Sequence, residues 1–483
     1  MEKIKKILFN NLNQKQIIFK NTFWLALAEG VTKISKLFLF IYIARILGVT
    51  EYGKFTFALA FVGLFAIFSD LGLSSITTRE FAREQEKEKE FASILSLKIL
   101  LNLGTLVLIL VGSFFITPDP VVRKIIWILA IYTIIGSLSG IIYAFFHARQ
   151  QMEYRSWSQI LQALAIVGAG FFILFKSPSV ENLSYSYLFA SAVALIFILV
   201  FFHLKVFPLK LSWQKSIWQK FLKMSWPLAL AGVFGTIYSY IDSVIMGYSG
   251  QITQTGWYNA ASKIASAASI PMVLIAESFF PALSLAFKES KEKLQKIWNY
   301  QMEIMILLAI PIVIGGLVLA PKIIDLVYDP SYFPSIAAFQ ILIFMTGLVF
   351  LSNPFKQVLF ATNHQKKLLW IALWGAMVNL ISNIILIPRY SFYGAAIATV
   401  ITYIILLLLF LDFTRRFTPI NPINFKLIST LIGVCLSALA MYFVISHPWI
   451  YNLNILFSIS IGAGTYLVCF FIYKKVSKLN LRS

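Results

Sequence analysis

NTFWLALAEGVTKISKLFLFIYIARILGVTEYGKFTFALAFVGLFAIFSD, residues 21–70, decides the fold. It holds two long apolar runs joined by a short polar turn, ARILGVTEYGK. A helix needs roughly 20 predominantly apolar residues to cross a bilayer, and each run supplies about that many. The runs are continuous and do not alternate, so they are helices and not barrel strands. The first run also carries Glu29, Lys33 and Lys36, at spacings of four and three, which place all three on one helical face.

The same pattern extends outward along the chain. Apolar spans are predicted at 20–45, 54–75, 93–117, 121–146, 157–176, 182–204, 221–249, 257–287, 299–320, 336–360, 367–388, 391–413, 424–446 and 451–473. Of the 483 residues 59% are hydrophobic and only 13% charged, against about 25% charged in a soluble domain. The chain therefore reads as an all-α polytopic membrane protein of about fourteen transmembrane helices.

Charge sets the orientation. With the N-terminus inside, 29 of the 41 Lys and Arg fall on one side, 7 on the other and 5 within spans. That asymmetry follows the positive-inside rule. It predicts an inner (cytoplasmic) membrane protein with both termini cytoplasmic. The net charge of +21 lies in short tracts flanking the spans, which suits anionic membrane lipids and not nucleic acid. The N-terminal MEKIKKILFNNLNQKQ reads as a basic surface helix without a signal-peptide cleavage pattern.

The chain also resembles itself. WLALAEG (Trp24 to Gly30) matches WPLALAG (Trp226 to Gly232), and LGVTEYGKF (Leu47 to Phe55) matches SGQITQTGWY (Ser249 to Tyr258) with one residue inserted. Both copies start inside, so the repeat is parallel, a known transporter design. The expected organisation is an N-terminal six-helix bundle at 1–206, a cytoplasmic linker at 207–220, a second six-helix bundle at 221–414, and two additional spans with a basic tail at 415–483. The two pseudo-symmetric bundles are expected to surround a central cavity.

No loop is long enough to fold as a domain, so function must lie among the spans. A charge at mid-span costs roughly 2.5–3.5 kcal/mol, and three cost on the order of 8–10 kcal/mol before pairing. Lys33 and Lys36 are therefore expected to form the wall of a cationic, water-filled cavity. The competing reading is a Glu29–Lys33 pair with Lys36 neutralised from another helix. Asp242 and Lys263 lie at matching depths near the outer ends of spans seven and eight, which suggests an ion pair, either an outer gate or a structural bridge. Lys263 is a further candidate substrate-binding residue, and Glu29, Asp242 and Glu277 are candidates for coupling or gating. Arg79, Arg83, Arg149 and Arg155 flank the cytoplasmic mouth, where they are candidates for recruiting a phosphate headgroup by bidentate bonds. Asp70, Lys98, Glu303 and Lys356 lie near the cytoplasmic surface and are expected to be snorkelling or solvated. Pro227, Pro271, Pro311 and Pro354 read as mid-helix prolines.

Several classes drop out. No phosphate-cradling G-x-x-x-x-G-K-S/T loop is present, so the chain is not its own ATPase. Cys435 and Cys469 sit in late spans, and no Cys/His cluster points to a metal or cofactor.

The segment ARILGVTEYGKFTFALAF (Ala44 to Phe61) resembles the signature of Wzx-type polysaccharide flippases of the multidrug/oligosaccharidyl-lipid/polysaccharide exporter superfamily. DLGLSSITTREFAR (Asp70 to Arg83), YSFYGAAIATVITY (Tyr390 to Tyr403) and IDSVIMGYSGQITQTGWYNAASKI (Ile241 to Ile264) resemble other parts of that family. The resemblance implies transport, not enzymatic conversion. The implied substrate is an undecaprenyl-diphosphate-linked oligosaccharide, moved from the cytoplasmic to the outer leaflet for cell-surface polysaccharide such as O-antigen. It further implies alternating access, H+ or Na+ as coupling ion, and association with a polysaccharide polymerase. The competing functions are a small-molecule or multidrug antiporter of the same superfamily, a lipid-linked peptidoglycan precursor flippase, and a membrane O-unit polymerase.

Overall fold

The computed structural model describes residues 9–83, 88–206, 208–422 and 424–480. The described residues form helices and turns, with no strand among them. In chain order the helices are α1 (Gln14–Phe65), α2 (Leu73–Arg83), α3 (Glu88–Ile116), α4 (Pro120–Ala148), α5 (Met152–Lys176), α6 (Val180–Lys205) and α7 (Lys215–Tyr248). They continue as α8 (Ile252–Ala267), α9 (Ile270–Glu289), α10 (Lys291–Val327), α11 (Ser335–Ala361), α12 (Gln365–Phe417), α13 (Phe425–Ser446) and α14 (Ile455–Asn480).

Among the described residues, twelve segments are long and apolar enough to cross a membrane. Two of them fold back on themselves, which brings the number of crossings to the expected fourteen. α1 breaks at Gly48, whose φ of 73° suits a residue without a Cβ. Phe40 thereby meets Phe55 at 6.5 Å between ring centroids, whereas an unbroken helix would hold them about 22 Å apart. α12 breaks at Ser391 (φ 54°), and Asn379 Nδ2 on one arm donates to Thr402 Oγ1 on the other at 3.2 Å. The helix starts follow local rules. Asp119 caps α4 through the Val121 amide at 2.8 Å, with Pro120 next in line. Ser179, Ser290 and Asn424 cap α6, α10 and α13 through side-chain oxygens.

One expectation fails here. Pro271 is not mid-helix: the eighth span is interrupted at 268–269, and Pro271 stands in the first turn of α9, where its missing N–H costs nothing. Pro227, Pro311 and Pro354 do lie inside α7, α10 and α11.

The chain packs as two compact units, Met1–Gly256 and Trp257–Ser483. α7, which opens the second sequence repeat, packs against α1, α2 and α3 inside the first unit. The repeat is visible there. Gly250 has φ 75°, matching Gly48 at the 202-residue offset. Thr50 Oγ1 lies 3.0 Å from Thr253 Oγ1. A Cβ on Gly53 would meet Ile252 O and lie 3.2 Å from Gly256 N, and one on Gly256 would meet Val49 O and lie 3.3 Å from Gly53 N. Equivalent residues touching reciprocally is the mark of a two-fold contact.

Aromatic packing anchors the first unit at its basic end, where Phe91 touches Phe145 and stacks on Phe202 at 5.0 and 5.3 Å. In the second unit Trp298 is fully buried and donates to the Pro354 carbonyl at 3.2 Å. The two additional helices are tied to α10 at both ends. Asn424 Nδ2 donates to Asn299 Oδ1 at 3.0 Å, and Lys322 Nζ donates to Leu453 O at 2.7 Å.

Candidate functional site

α1 presents three stripes. Trp24, Ala28, Leu39 and Ile43 are buried against the unit. Phe23, Leu27, Ile34 and Phe38 form an exposed apolar stripe. Thr22, Ala26, Glu29 and Lys33 form a second exposed stripe, which Lys36 continues half-buried. At 100° per residue the two exposed stripes lie on the order of 140° apart. One helix within the membrane thus shows hydrocarbon chemistry to one side and charge to another, and only the first suits lipid. Lys33 Nζ sits 3.4 Å from Glu29 Oε2, both about half exposed. The internal pair thus forms, but without leaving solvent. Lys36 has no hydrogen bond or ion pair among the described residues, so the face keeps a net positive charge.

The four arginines gather at the basic end of the first unit. α2 is fixed to the end of α4 by Thr78 Oγ1, which donates to Ala144 O at 3.2 Å. Arg79 Nε bonds Glu80 at 3.1 Å, and Arg83 lies 4.0 Å from the same carboxylate, 70% exposed. Arg149 stacks over the Phe145 ring at 4.5 Å. Arg155 has a buried Nε with no hydrogen-bond partner among the described residues.

The remaining candidates lie on α7, α8 and α9. Asp242 is buried near the end of α7, and Lys263 is half-buried in α8. Glu277 is exposed on α9 with no ion-pair partner among the described residues. Gln357 Nε2 donates to Ala276 O at 2.6 Å, which sets Lys356 and Glu277 beside one contact, both exposed.

Two expectations of snorkelling or solvated charges need correction. Lys98 does not snorkel: it is 1% exposed and ion-paired with Asp70. Glu303 is 12% exposed and pairs with Lys426 at 2.5 Å. A third pair escaped the sequence reading. Lys20, at the start of the first predicted span, is fully buried and lies 2.9 Å from Glu153. Its Nζ also donates to Asn11 Oδ1 at 2.7 Å and to Gln150 O at 3.1 Å, clamping the start of α1 to the α4–α5 turn. Glu153, an acid in the first turn of an otherwise apolar span, was the signal available for it.

Known proteins resemble this chain in sequence and in fold. The chain is 23% identical over 389 residues to the "Probable low-salt glycan biosynthesis flippase Agl15" of Haloferax volcanii, covering 79% of this chain and 80% of that one. It is 22% identical over 402 residues to the "Putative O-antigen transporter" of Escherichia coli K12, covering 82% and 96%. Among solved structures, the lipid II flippase MurJ in an inward closed conformation superposes with a TM-score of 0.79 at 17% identity, covering 95% of this chain and 99% of that one. The polysaccharide biosynthesis protein family matches residues 18–287, more than half of the sequence, and to that family this multi-pass membrane protein belongs.

Proposed function

We propose that the chain is a flippase that carries an undecaprenyl-diphosphate-linked oligosaccharide from the cytoplasmic to the outer leaflet by alternating access. The charge asymmetry supports an inner-membrane location with both termini cytoplasmic. The observation that carries the reading is the exposed charged stripe of α1, on which Lys33 and Lys36 face the single carboxylate of Glu29 and leave a net positive charge. A diphosphate head carries about two negative charges, and its transfer through bare hydrocarbon is prohibitive. A cationic face in contact with water replaces part of that hydration, and the polyprenyl tail stays in lipid. Arg79, Arg83, Arg149 and Arg155 would draw in the headgroup at the basic end. Glu29, Asp242 and Glu277 are the proposed coupling and gating acids, and Lys263 a further contact for the diphosphate. H+ or Na+ would drive the cycle, and a polysaccharide polymerase would take the product.

The test is reconstitution into proteoliposomes with undecaprenyl-diphosphate-linked N-acetylglucosamine as probe. Movement to the opposite leaflet is expected with the wild-type chain, with a strong loss in Lys36→Ala at unchanged protein level. Wild-type rates from Lys36→Ala would remove the cationic face from the mechanism. A lipid-linked peptidoglycan precursor is the second reading, favoured by the likeness to the lipid II flippase fold. Transport of lipid II in preference to the glycan-linked probe would select it.

A further inference from the structure

The second span does not run straight. After α1 the chain makes a 3-10 turn (Ala66–Ser69). Leu71 and Gly72 follow with φ of 46° and 75°. Positive φ is strained for a bulky leucine, and such outliers persist only where the surroundings impose them. The helix then restarts as α2, which bears Arg79 and Arg83.

Asp70 holds this break. Its carboxylate accepts the Ser74 hydroxyl at 2.5 Å and the Ser74 amide at 3.4 Å, and so caps the restart. It also pairs with Lys98 of α3. The two sides of the pair differ in access: Asp70 is 29% exposed, Lys98 only 1%. One helical turn further along α3 lies Asn102. It is 2% exposed, and neither its Oδ1 nor its Nδ2 has a hydrogen-bond partner among the described residues. A buried amide with both ends unsatisfied is costly and calls for an explanation. At i+4 from Lys98 it shares the lysine's helical face.

We propose that Asp70, Lys98 and Asn102 form a proton-binding switch that clamps the break in the second span and couples protons to movement of α2. In one state Asp70 is ionised, takes the Lys98 ammonium and caps α2. A proton from water reaches the carboxylate at its exposed edge and binds there, and the pair goes from net zero to one positive charge. The ammonium, sealed from solvent, moves to Asn102 Oδ1, and the neutral carboxyl holds α2 less firmly. Among the described residues the pair stands apart from other charges. Lys98 is the charged group that acts on Asp70, and Asp70 the one that acts on Lys98. From α4, the Ser137 hydroxyl donates to Ser69 O. On the α7 side, the Leu228 side chain, the Ser225 carbonyl and the Ala229 nitrogen stand against Gly72. What the switch drives rests on the flippase reading; its existence does not.

The experiment uses the full chain in nanodiscs, without substrate, and follows amide hydrogen exchange of α2 from pH 7 to pH 3, corrected for the intrinsic rate. In the wild type, opening of α2 is expected to increase by up to about tenfold per pH unit through the titration, the slope that one-proton linkage allows. Asp70→Asn should exchange fast at every pH. Asn102→Leu, which replaces an unsatisfied amide by an apolar group of similar size, should fold and should lose the pH response. A wild type with no pH response, or an Asn102→Leu variant that keeps it, overturns the switch. A second arm measures transport of undecaprenyl-diphosphate-linked N-acetylglucosamine under a pH gradient. Acceleration by the gradient in the wild type and its loss in Asn102→Leu are expected, and equal acceleration in both overturns the coupling. No transport by the wild type under any gradient counts against the flippase reading alone, because the exchange arm still decides the switch.

Discussion

Thr50 and Thr253 touch hydroxyl to hydroxyl at 3.0 Å, and they occupy the same place in two copies of one sequence repeat. Gly53 and Gly256 approach beside them so closely that either Cβ would meet the opposite backbone. A contact made of equivalent residues is self-complementary, and it opens or closes as a unit. Small residues are what allow helix backbones in a membrane to come this near.

If alternating access separates these two turns, a covalent bond between them must stop the cycle. In a background with Cys435 and Cys469 replaced by Ser, Thr50→Cys with Thr253→Cys is expected to form a disulfide on mild oxidation. Transport in proteoliposomes should then fall to background and return on reduction. Undiminished transport by the fully cross-linked protein would show that the turns stay together throughout.

Lys33 and Lys36 share a face but not a circumstance. Lys33 is beside Glu29, and Lys36 has no ion-pair partner among the described residues. A charge-assisted hydrogen bond to a substrate phosphate is worth about 1.5–3 kcal/mol, so Lys36→Ala should slow transport by more than about tenfold. Lys36→Arg should retain most of the rate. Lys33→Ala should do less harm, because an exposed i,i+4 pair contributes only about 0.3–0.5 kcal/mol. Initial transport rates at matched protein levels measure all three. Equal loss in Lys33→Ala and Lys36→Ala would mean that the pair acts as one site.

How much of this was legible beforehand depends on what a window of sequence can see. Span number and helix type follow from hydropathy, which is a sum over neighbours. The turn at Gly48 was legible because the apolar run stops at a polar ILGVTEYG segment. The break at Leu71 was not, because leucine ordinarily avoids positive φ and only tertiary packing imposes it. The interruption before Pro271 was mistaken for a proline inside a helix, since a sequence does not say whether a proline's missing donor was needed. Buried lysines were hidden for a different reason. Lys20 and Lys98 look like headgroup and snorkelling charges until Glu153 and Asp70, far away in the chain, are brought against them.

The two additional helices depend on a few polar ties. Asn424 both caps α13, accepting from the Leu427 amide at 3.0 Å, and bonds Asn299 at 3.0 Å. Asn424→Ala is expected to cost about 1–2 kcal/mol through the lost cap. Hydrogen exchange should rise in the first turn of α13 while α3 and α4 are unchanged. Uniform destabilisation of the whole chain would contradict a local tie.

The buried Lys20–Glu153 pair gives the sharpest stability test. Lys20 is fully buried and Glu153 nearly so, at a separation of 2.9 Å. Removing one partner of such a pair strands a charge in the interior and typically costs about 3–5 kcal/mol, whereas replacing both by apolar groups is often neutral. Lys20→Met and Glu153→Leu should therefore each lower the thermal unfolding midpoint in detergent substantially. The double variant should recover most of the loss, less the bonds Lys20 makes to Asn11 and Gln150. The clamp also positions the α4–α5 turn, which carries Arg149, and the first turn of α5, which carries Arg155. If those arginines recruit a headgroup, the double variant should unfold near the wild-type temperature yet bind polyprenyl diphosphate more weakly. Additive losses in the double variant would show that the two side chains stabilise the fold independently and that no clamp exists.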